Sequence, residues 1–381
     1  MKIENRNSFR ISRFILLKLP FILRFLAFLR PKHKRLLLIK TDEIGDYILF
    51  RNYIAILKQS QKFKDYEIDL LGNTVWRDLV TVYDREYLSA VFFIQADKIY
   101  DKPMKCLAIG WQLFKRNYTI VLQPTYSRTL MIDGMAALTA AKTIIGFQSD
   151  NERILPKYKR KTDKFYSSKL QLPAHIHFEF ERSKYFIERV TGQPADIDKP
   201  WLPVKAQRGN YIVLFPGAGY AGREWGTTNF IALAKRILQQ TGLSLVIAGG
   251  KQDIHHAENM LSELSLERVS SKVAQTTLPE LIELIAGAAC IITNDTSAVH
   301  IAAACNTPVL CIHGVAHYQR FIPYPEHLAA NMKFVYTLLP CFNCNWNCIY
   351  PLKENETYPC VAINTVDQVW QAFNELIYTQ S

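Results

Sequence analysis

Residues 290–312 read Cys-Ile-Ile-Thr-Asn-Asp-Thr-Ser-Ala-Val-His-Ile-Ala-Ala-Ala-Cys-Asn-Thr-Pro-Val-Leu-Cys-Ile. Residues 290–293 are a short apolar strand. Asn294-Asp295-Thr296 turns the chain, 297–304 is an Ala-rich helix, and 309–312 is a second apolar strand. Strand, helix and strand in so few residues form a βαβ unit, which places its two strands parallel in one sheet.

The same alternation extends outward from this unit. Upstream lie a strand at 210–215, a helix at 227–239, a strand at 243–248 and a helix at 278–286 with Pro279 in its first turn, where the missing N–H costs nothing. Downstream, 365–377 is an amphipathic helix. An earlier series has strands at 36–40, 67–71, 90–95, 118–122 and 143–146, with a helical period at 47–59. These strands are continuous apolar runs, as expected where helices cover both sheet faces. The pattern breaks at 150–208, which is basic at 153–164 and rich in Pro, Gly and Asp at 191–203, so a linker is placed at 195–209. The expected architecture is α/β: two doubly wound, Rossmann-like parallel-sheet domains, 36–200 and 205–362, facing a cleft. A basic segment precedes them at 1–35, and a C-terminal helix follows at 363–381. Ligands bind such domains at the carboxyl ends of the strands.

The chain has 381 residues, 49% hydrophobic and 21% charged, which suits two folded domains and excludes low-complexity or collagenous classes. The net charge is +12, and residues 1–35 contribute +9 of it: ten Lys/Arg, among them Lys2, Arg6, Arg10, Arg13, Lys18 and Arg24, against Glu4 alone. The nearly neutral body argues against a nucleic-acid-binding surface. The apolar run 14–29 is interrupted by Lys18, Pro20 and Arg24, and it is shorter than the ~20 residues of a spanning helix. It reads as an amphipathic helix on an anionic membrane surface, with a helix packed on the protein itself and a true span as alternatives. Of the eight cysteines, Cys341, Cys344, Cys348 and Cys360 crowd together as C-x2-C-x3-C-x11-C. That is half of a structural zinc pattern, or else a thiol-lined loop packed on the core. A secreted disulfide scaffold would be shorter and richer in Cys.

Four sites carry chemistry. After the first strand comes Lys40-Thr41-Asp42-Glu43-Ile44-Gly45-Asp46, in which Asp46 is a helix cap or a general base whose pKa is raised by its acidic neighbours. Pro216-Gly217-Ala218-Gly219 followed by Arg223-Glu224-Trp225 leaves backbone N–H groups free for phosphate and adds a fixed cation, or is an ordinary surface loop. Asp295, Thr296 and Ser297 open a helix whose N–H groups favour an anion. His300 lies one turn in, as a structural side chain or a donor contact. Asp253, after Gly249-Gly250, is a ribose ligand or a helix cap.

In this order the sites resemble glycosyltransferase family 9, the ADP-heptose:lipopolysaccharide heptosyltransferases. The resemblance spans about 36–375 and is carried by Lys40-Thr-x-x-x-Gly45-Asp46, Arg223-Glu-Trp225, Asn294 to His300 and Asn306 to Gly314. It implies the GT-B fold and an inverting transfer from a nucleotide sugar, without metal or cofactor. Asp46 would be the base, and Lys40 and Thr41 would line the acceptor cleft. Gly217, Gly219, Arg223, Asp253, Asp295, Thr296, Ser297 and His300 would face the donor. Arg223 stands where the family usually has Lys, and Asp42-Glu43 replaces small residues, making the acceptor mouth more acidic. The expected partners are ADP-heptose or a similar donor, a glycolipid or oligosaccharide acceptor and the anionic inner face of the cytoplasmic membrane, with the enzyme peripheral to it. No nucleic-acid partner is expected. The basic run 153–164 is an acceptor or membrane contact, or a solvated linker. Two other readings remain open: a nucleotide-sugar epimerase of GT-B layout, and a non-catalytic nucleotide-sugar or glycan-binding membrane protein.

Overall fold

The structure, a computed structural model, describes residues 4–27, 30–31 and 33–378. Lys2, Phe28, Leu29 and Lys32 of the basic segment lie outside the described residues. The chain divides into two compact units, Met1–Ile197 and Asp198–Ser381.

The first unit holds β1 (Arg35–Ile39), β2 (Glu67–Asn73), β3 (Ala90–Ile94), β4 (Ile120–Gln123), β5 (Thr143–Phe147) and β6 (Ser168–Leu170). They form one parallel sheet in the order β3-β2-β1-β4-β5-β6. The second unit holds β7 (Tyr211–Phe215), β8 (Ser244–Ile247), β9 (Val269–Ser271), β10 (Cys290–Asn294), β11 (Val309–Ile312) and β12 (Met332–Val335), in the order β12-β11-β10-β7-β8-β9. Counted from its own first strand, each sheet runs 3-2-1-4-5-6, the Rossmann order. The fold is therefore α/β, with the two Rossmann-like units of the GT-B class. In each sheet the order reverses between the first and fourth strands. These are β1 and β4 in one unit and β7 and β10 in the other, and ligands of doubly wound sheets bind at that point.

The basic N-terminal segment forms helix α1 (Arg6–Leu26), capped by Asn5, whose side chain accepts from the N–H groups of Asn7 (2.9 Å) and Ser8 (3.1 Å). One face is buried in the first unit through Phe9, Ile15, Leu16, Leu17 and Leu23. At ~1.5–3 kcal/mol per fully buried large apolar side chain, these contacts hold α1 as part of the domain. The approach is close at Gly134, where a Cβ would come within 2.5 Å of Leu16. The opposite face carries exposed Ile11, Phe14, Phe21, Ile22 and Phe25. Packing on the protein therefore accounts for only half of this helix. No helix among the described residues is long and apolar enough to cross a membrane.

The expected break at 150–208 is corrected. It contains a helix at Pro156–Thr162, strand β6 and a helix at Glu179–Thr191, all within the first unit's sequence range. The last helix buries Phe180, Ser183, Phe186, Ile187 and Val190 at helical spacing and ends on Gly192 in the left-handed region (φ 76°). The expected helix at 47–59 is two helices, α2 (Ile44–Phe50) and Asn52–Gln59. The C-terminal helix Val366–Tyr378 is part of the second unit, burying Val369, Trp370, Phe373 and Leu376 in its core.

Candidate active site

In the first unit, Lys40 follows the end of β1, and Asp46 lies in the first turn of α2. The helix cap is Glu43, which makes no capping bond, and Asp46 caps nothing. The intervening loop is held from below. The Trp76 indole N–H donates to the Asp42 carbonyl (2.8 Å), the Asn73 amide donates to the Thr41 carbonyl (3.2 Å), and Tyr47 stacks on Trp76 at 3.9 Å.

This scaffold presents a charge cluster. Lys40 and Asp42, only 1% and 5% exposed, form an ion pair at 2.9 Å. The Thr125 hydroxyl donates to Asp42 at 2.6 Å, and Arg153 approaches the other carboxylate oxygen at 3.9 Å. Burial alone would raise the Asp42 pKa, but Lys40, Arg153 and Thr125 outweigh it and hold the carboxyl below its usual range. Asp46 has the opposite balance. Lost solvation, then the negative charge of Asp42, push its carboxyl up to about 7 against the pull of Lys40. Two acids four residues apart are thus set to different protonation behaviour, with Asp46 poised to exchange a proton near neutrality. At the β1/β4 reversal, the Thr41 hydroxyl and both polar atoms of Gln123 are buried without a partner. Such atoms are costly unless a ligand or water satisfies them.

In the second unit the residues after β7 and β10 converge. The Asn294 amide donates to the carbonyls of Pro216 (2.6 Å) and Gly217 (3.2 Å), and its oxygen accepts from the Trp225 N–H (3.0 Å). One buried amide therefore joins the glycine loop, the Arg223 loop and the start of the next helix. Arg223 pairs with Asp295 at 2.9 Å and lies over the Trp346 ring at 4.8 Å, while its Nε is buried without a partner. Thr296 caps the Ser297–Ala304 helix, accepting from the Ala298 N–H, and Asp295, Thr296 and Ser297 are all partly exposed.

Asp253 fills one of its two expected roles, that of a cap. One carboxylate oxygen accepts from the Gly250 N–H at 2.7 Å, as a cap, and the other is buried without a partner. The carboxylate fits only because Gly217 has no side chain: a Cβ there would stand 1.9 Å from Asp253 Oδ1. Gly219 borders open space, with nothing within 4 Å of where a Cβ would stand. His300 is buried, hydrogen-bonded to the Tyr324 hydroxyl at 2.8 Å, and burial lowers its pKa to about 4, so its ring is neutral.

Cys341, Cys344, Cys348 and Cys360 are free thiols lining one small cavity with Trp346 and Tyr358. No group of three or more His, Cys, Asp or Glu side chains is arranged to hold a metal ion among the described residues. The thiol loop instead buttresses the Arg223 loop. The Tyr358 N–H donates to the Gly222 carbonyl (2.8 Å) and the Thr357 hydroxyl to the Glu224 carbonyl (3.0 Å).

Sequence reasoning brought Asp46 and the Asp295–Ser297 turn to the right strand ends. It missed Thr125, Gln123, Trp346 and Tyr324, and it named the basic run that starts at Arg153 without that residue's contact to Asp42. Gln123 could have been found, as a polar residue ending an apolar strand beside β1. The others arrive through tertiary contacts that carry no local signal.

The sequence model of glycosyltransferase family 9 (heptosyltransferase) matches residues 107–347. The lipopolysaccharide heptosyltransferase 2 of Escherichia coli (strain K12) is 27% identical over 124 residues, 32% of this chain and 35% of that protein. The alignment thus spans about a third of the length of this curated relative. Among solved structures, E. coli ADP-heptose LPS heptosyltransferase II superposes with a TM-score of 0.66 at 16% identity, covering 91% of this chain and 99% of that one. E. coli heptosyltransferase WaaC with ADP-2-deoxy-2-fluoro heptose gives 0.63 at 18%, covering 90% and 99%. At these identities the structural likeness is one of fold.

Proposed function

The chain belongs to glycosyltransferase family 9 (heptosyltransferase), and from that premise we propose that it transfers a sugar, with heptose from ADP-heptose as the leading donor, to a lipopolysaccharide-core or related surface-glycan acceptor. The relative solved with an ADP-heptose analogue supports this donor class. The observation that carries the reading is Asp46, a carboxyl raised to about 7 at the carboxyl end of β1, beside a buried Asp42–Lys40 pair.

In this mechanism the ionised Asp46 takes the proton of an acceptor hydroxyl as that oxygen attacks the anomeric carbon. The bond from that carbon to the diphosphate oxygen breaks, and the configuration inverts. Charge develops on the leaving diphosphate, where Arg223 and the hydroxyl and N–H groups of Thr296 and Ser297 stabilise it. The unpartnered Arg223 Nε is a donor for that group, and the unpartnered Asp253 oxygen is an acceptor for a ribose hydroxyl. Lys40 acts from behind Asp42, and Thr41 offers a free hydroxyl at the acceptor side. His300, held neutral by burial, backs the helix start through Tyr324. The acceptor is presented at the anionic inner face of the cytoplasmic membrane, where the enzyme is peripheral.

The test is release of nucleoside diphosphate from a panel of nucleotide sugars, with and without a lipopolysaccharide-core acceptor. Acceptor-dependent release from one donor is expected. Donor binding without release under every acceptor tried would favour a binding protein. Asp42 supplies a second check. Asp42→Ser removes the negative charge that helps raise Asp46 and leaves Lys40 to lower it. The acid limb of the pH–rate profile should move down by on the order of one pH unit. An unmoved limb would remove Asp42 from the account of Asp46.

A further inference from the structure

The two basic stretches of this chain are far apart in sequence, but the fold sets them side by side. Arg13 on α1 donates to the Tyr158 hydroxyl (3.1 Å), Arg24 donates to the Phe165 carbonyl (3.1 Å), and Phe21 packs on Phe165 at 6.0 Å. The Pro156–Thr162 helix is fixed to the unit by a buried network: Arg128 bonds Asp163, and the Tyr166 hydroxyl donates to Asp133 at 2.6 Å. Its outward side chains, Lys157, Arg160 and Lys161, are exposed, as are Leu155 before it and Lys164 after it. Beside them, α1 exposes Ile11, Phe14, Phe21, Ile22 and Phe25, with Arg10 and Lys18 on the same side.

We propose that these two helices form one surface that docks on an anionic lipid bilayer, with the α1 aromatic and aliphatic side chains in the interface and the cations of both helices on acidic headgroups. A large exposed apolar strip on a domain marks an interaction surface. Aromatic side chains interleaved with Lys and Arg suit the headgroup boundary, where one end of a ring is apolar and the other wet. The cationic rim selects an anionic surface over a second copy of this basic chain, which it would repel. The surface also leads to the reaction site. Arg153, at the start of the same basic stretch, reaches Asp42. An acceptor whose lipid end stays in the bilayer would enter beside Asp46. This purpose rests on the transferase reading, whereas the binding itself does not.

Sedimentation of the full chain with phosphatidylglycerol–phosphatidylcholine vesicles, and with phosphatidylcholine alone, tests the surface. Wild type should co-sediment with the anionic vesicles only, increasingly weakly as salt rises. The triple variant Phe14→Ser, Phe21→Ser, Phe25→Ser should lose binding. Lys157→Glu, Arg160→Glu, Lys161→Glu should also lose it, since each cation contributes about fivefold near an anionic surface. Circular dichroism melts establish that both variants are folded. Binding that survives in the lysine–arginine variant would exclude the second helix. Failure of wild type to bind, or a dimer in light scattering that the phenylalanine variant abolishes, would overturn the proposal. Turnover of a delipidated acceptor separates the two readings: the phenylalanine variant should keep it if the transferase reading holds. Vesicle binding by a chain that turns over nothing would leave the surface standing alone.

Discussion

Asp46→Asn is expected to lower kcat by roughly 10²–10⁴-fold while leaving donor affinity unchanged. That range is the usual contribution of a positioned general base. The substitution keeps the side chain's size and removes only its ability to take a proton. Asp46 is not a cap and makes no ion pair among the described contacts, so its loss should leave the melting temperature close to wild type. The pH dependence makes the assignment specific. The base must be ionised to act, and its carboxyl is raised to about 7. Activity should therefore rise through neutrality, half-developed near pH 7, and fall away on the acid side. Asn at this position should abolish that limb in the residual rate. Full turnover by the variant, or a wild-type profile flat between pH 5 and 8 where a raised carboxyl must titrate, would place the base elsewhere.

The second large effect is expected at Arg223. Arg223→Ala should reduce kcat by about 10²–10³-fold, the scale for removing one preorganised donor from developing charge. Nucleoside diphosphate affinity, measured by calorimetry, should weaken as well. Two features make this residue more than an exposed cation. Its guanidinium is fixed between the Asp295 carboxylate and the Trp346 ring, and its Nε still lacks a partner. Arg223→Lys should recover only part of the loss. Lysine keeps the charge, but it cannot pair with Asp295, stack on Trp346 and donate to a phosphate oxygen from one rigid plane. A change in stability with unaltered kcat and KM would make Arg223 a structural link between two loops and nothing more.

The site divides sharply between what a local reading could and could not find. Asp46 was legible because a strand, a tight glycine turn and a helix follow one another within a dozen residues. Asp295, Thr296 and Ser297 were legible for the same reason. Asp253 was left between two roles; the structure makes it a cap through one carboxylate oxygen and leaves the other without a partner. The thiols illustrate the converse. Their spacing left half of a zinc pattern or a thiol-lined packed loop open, and the fold uses the loop to brace the Arg223 turn through Tyr358 and Thr357. Spacing records which residues are near in the chain, and coordination depends on where side chains point.

The sequence by itself determined the two alternating strand–helix series, the parallel sheets they require, the strand ends that bear chemistry and the amphipathic basic N-terminus. Each follows from apolar periodicity or turn chemistry over a few residues, which is local information. Only the tertiary structure decided the rest. Three of the four edge strands, β6, β9 and β12, are three or four residues long and carry polar side chains, because a strand paired on one side needs no continuous apolar run. The raised pKa of Asp46 depends on burial and on Asp42 being fixed by Lys40, Thr125 and Arg153, the last two 83 and 111 positions further along than Asp42. The pairing of α1 with the 156–162 helix depends on both packing over the Leu130–Leu138 helix. Contacts between residues distant in sequence are set by how the sheet's layers pack, and no window of sequence contains both partners.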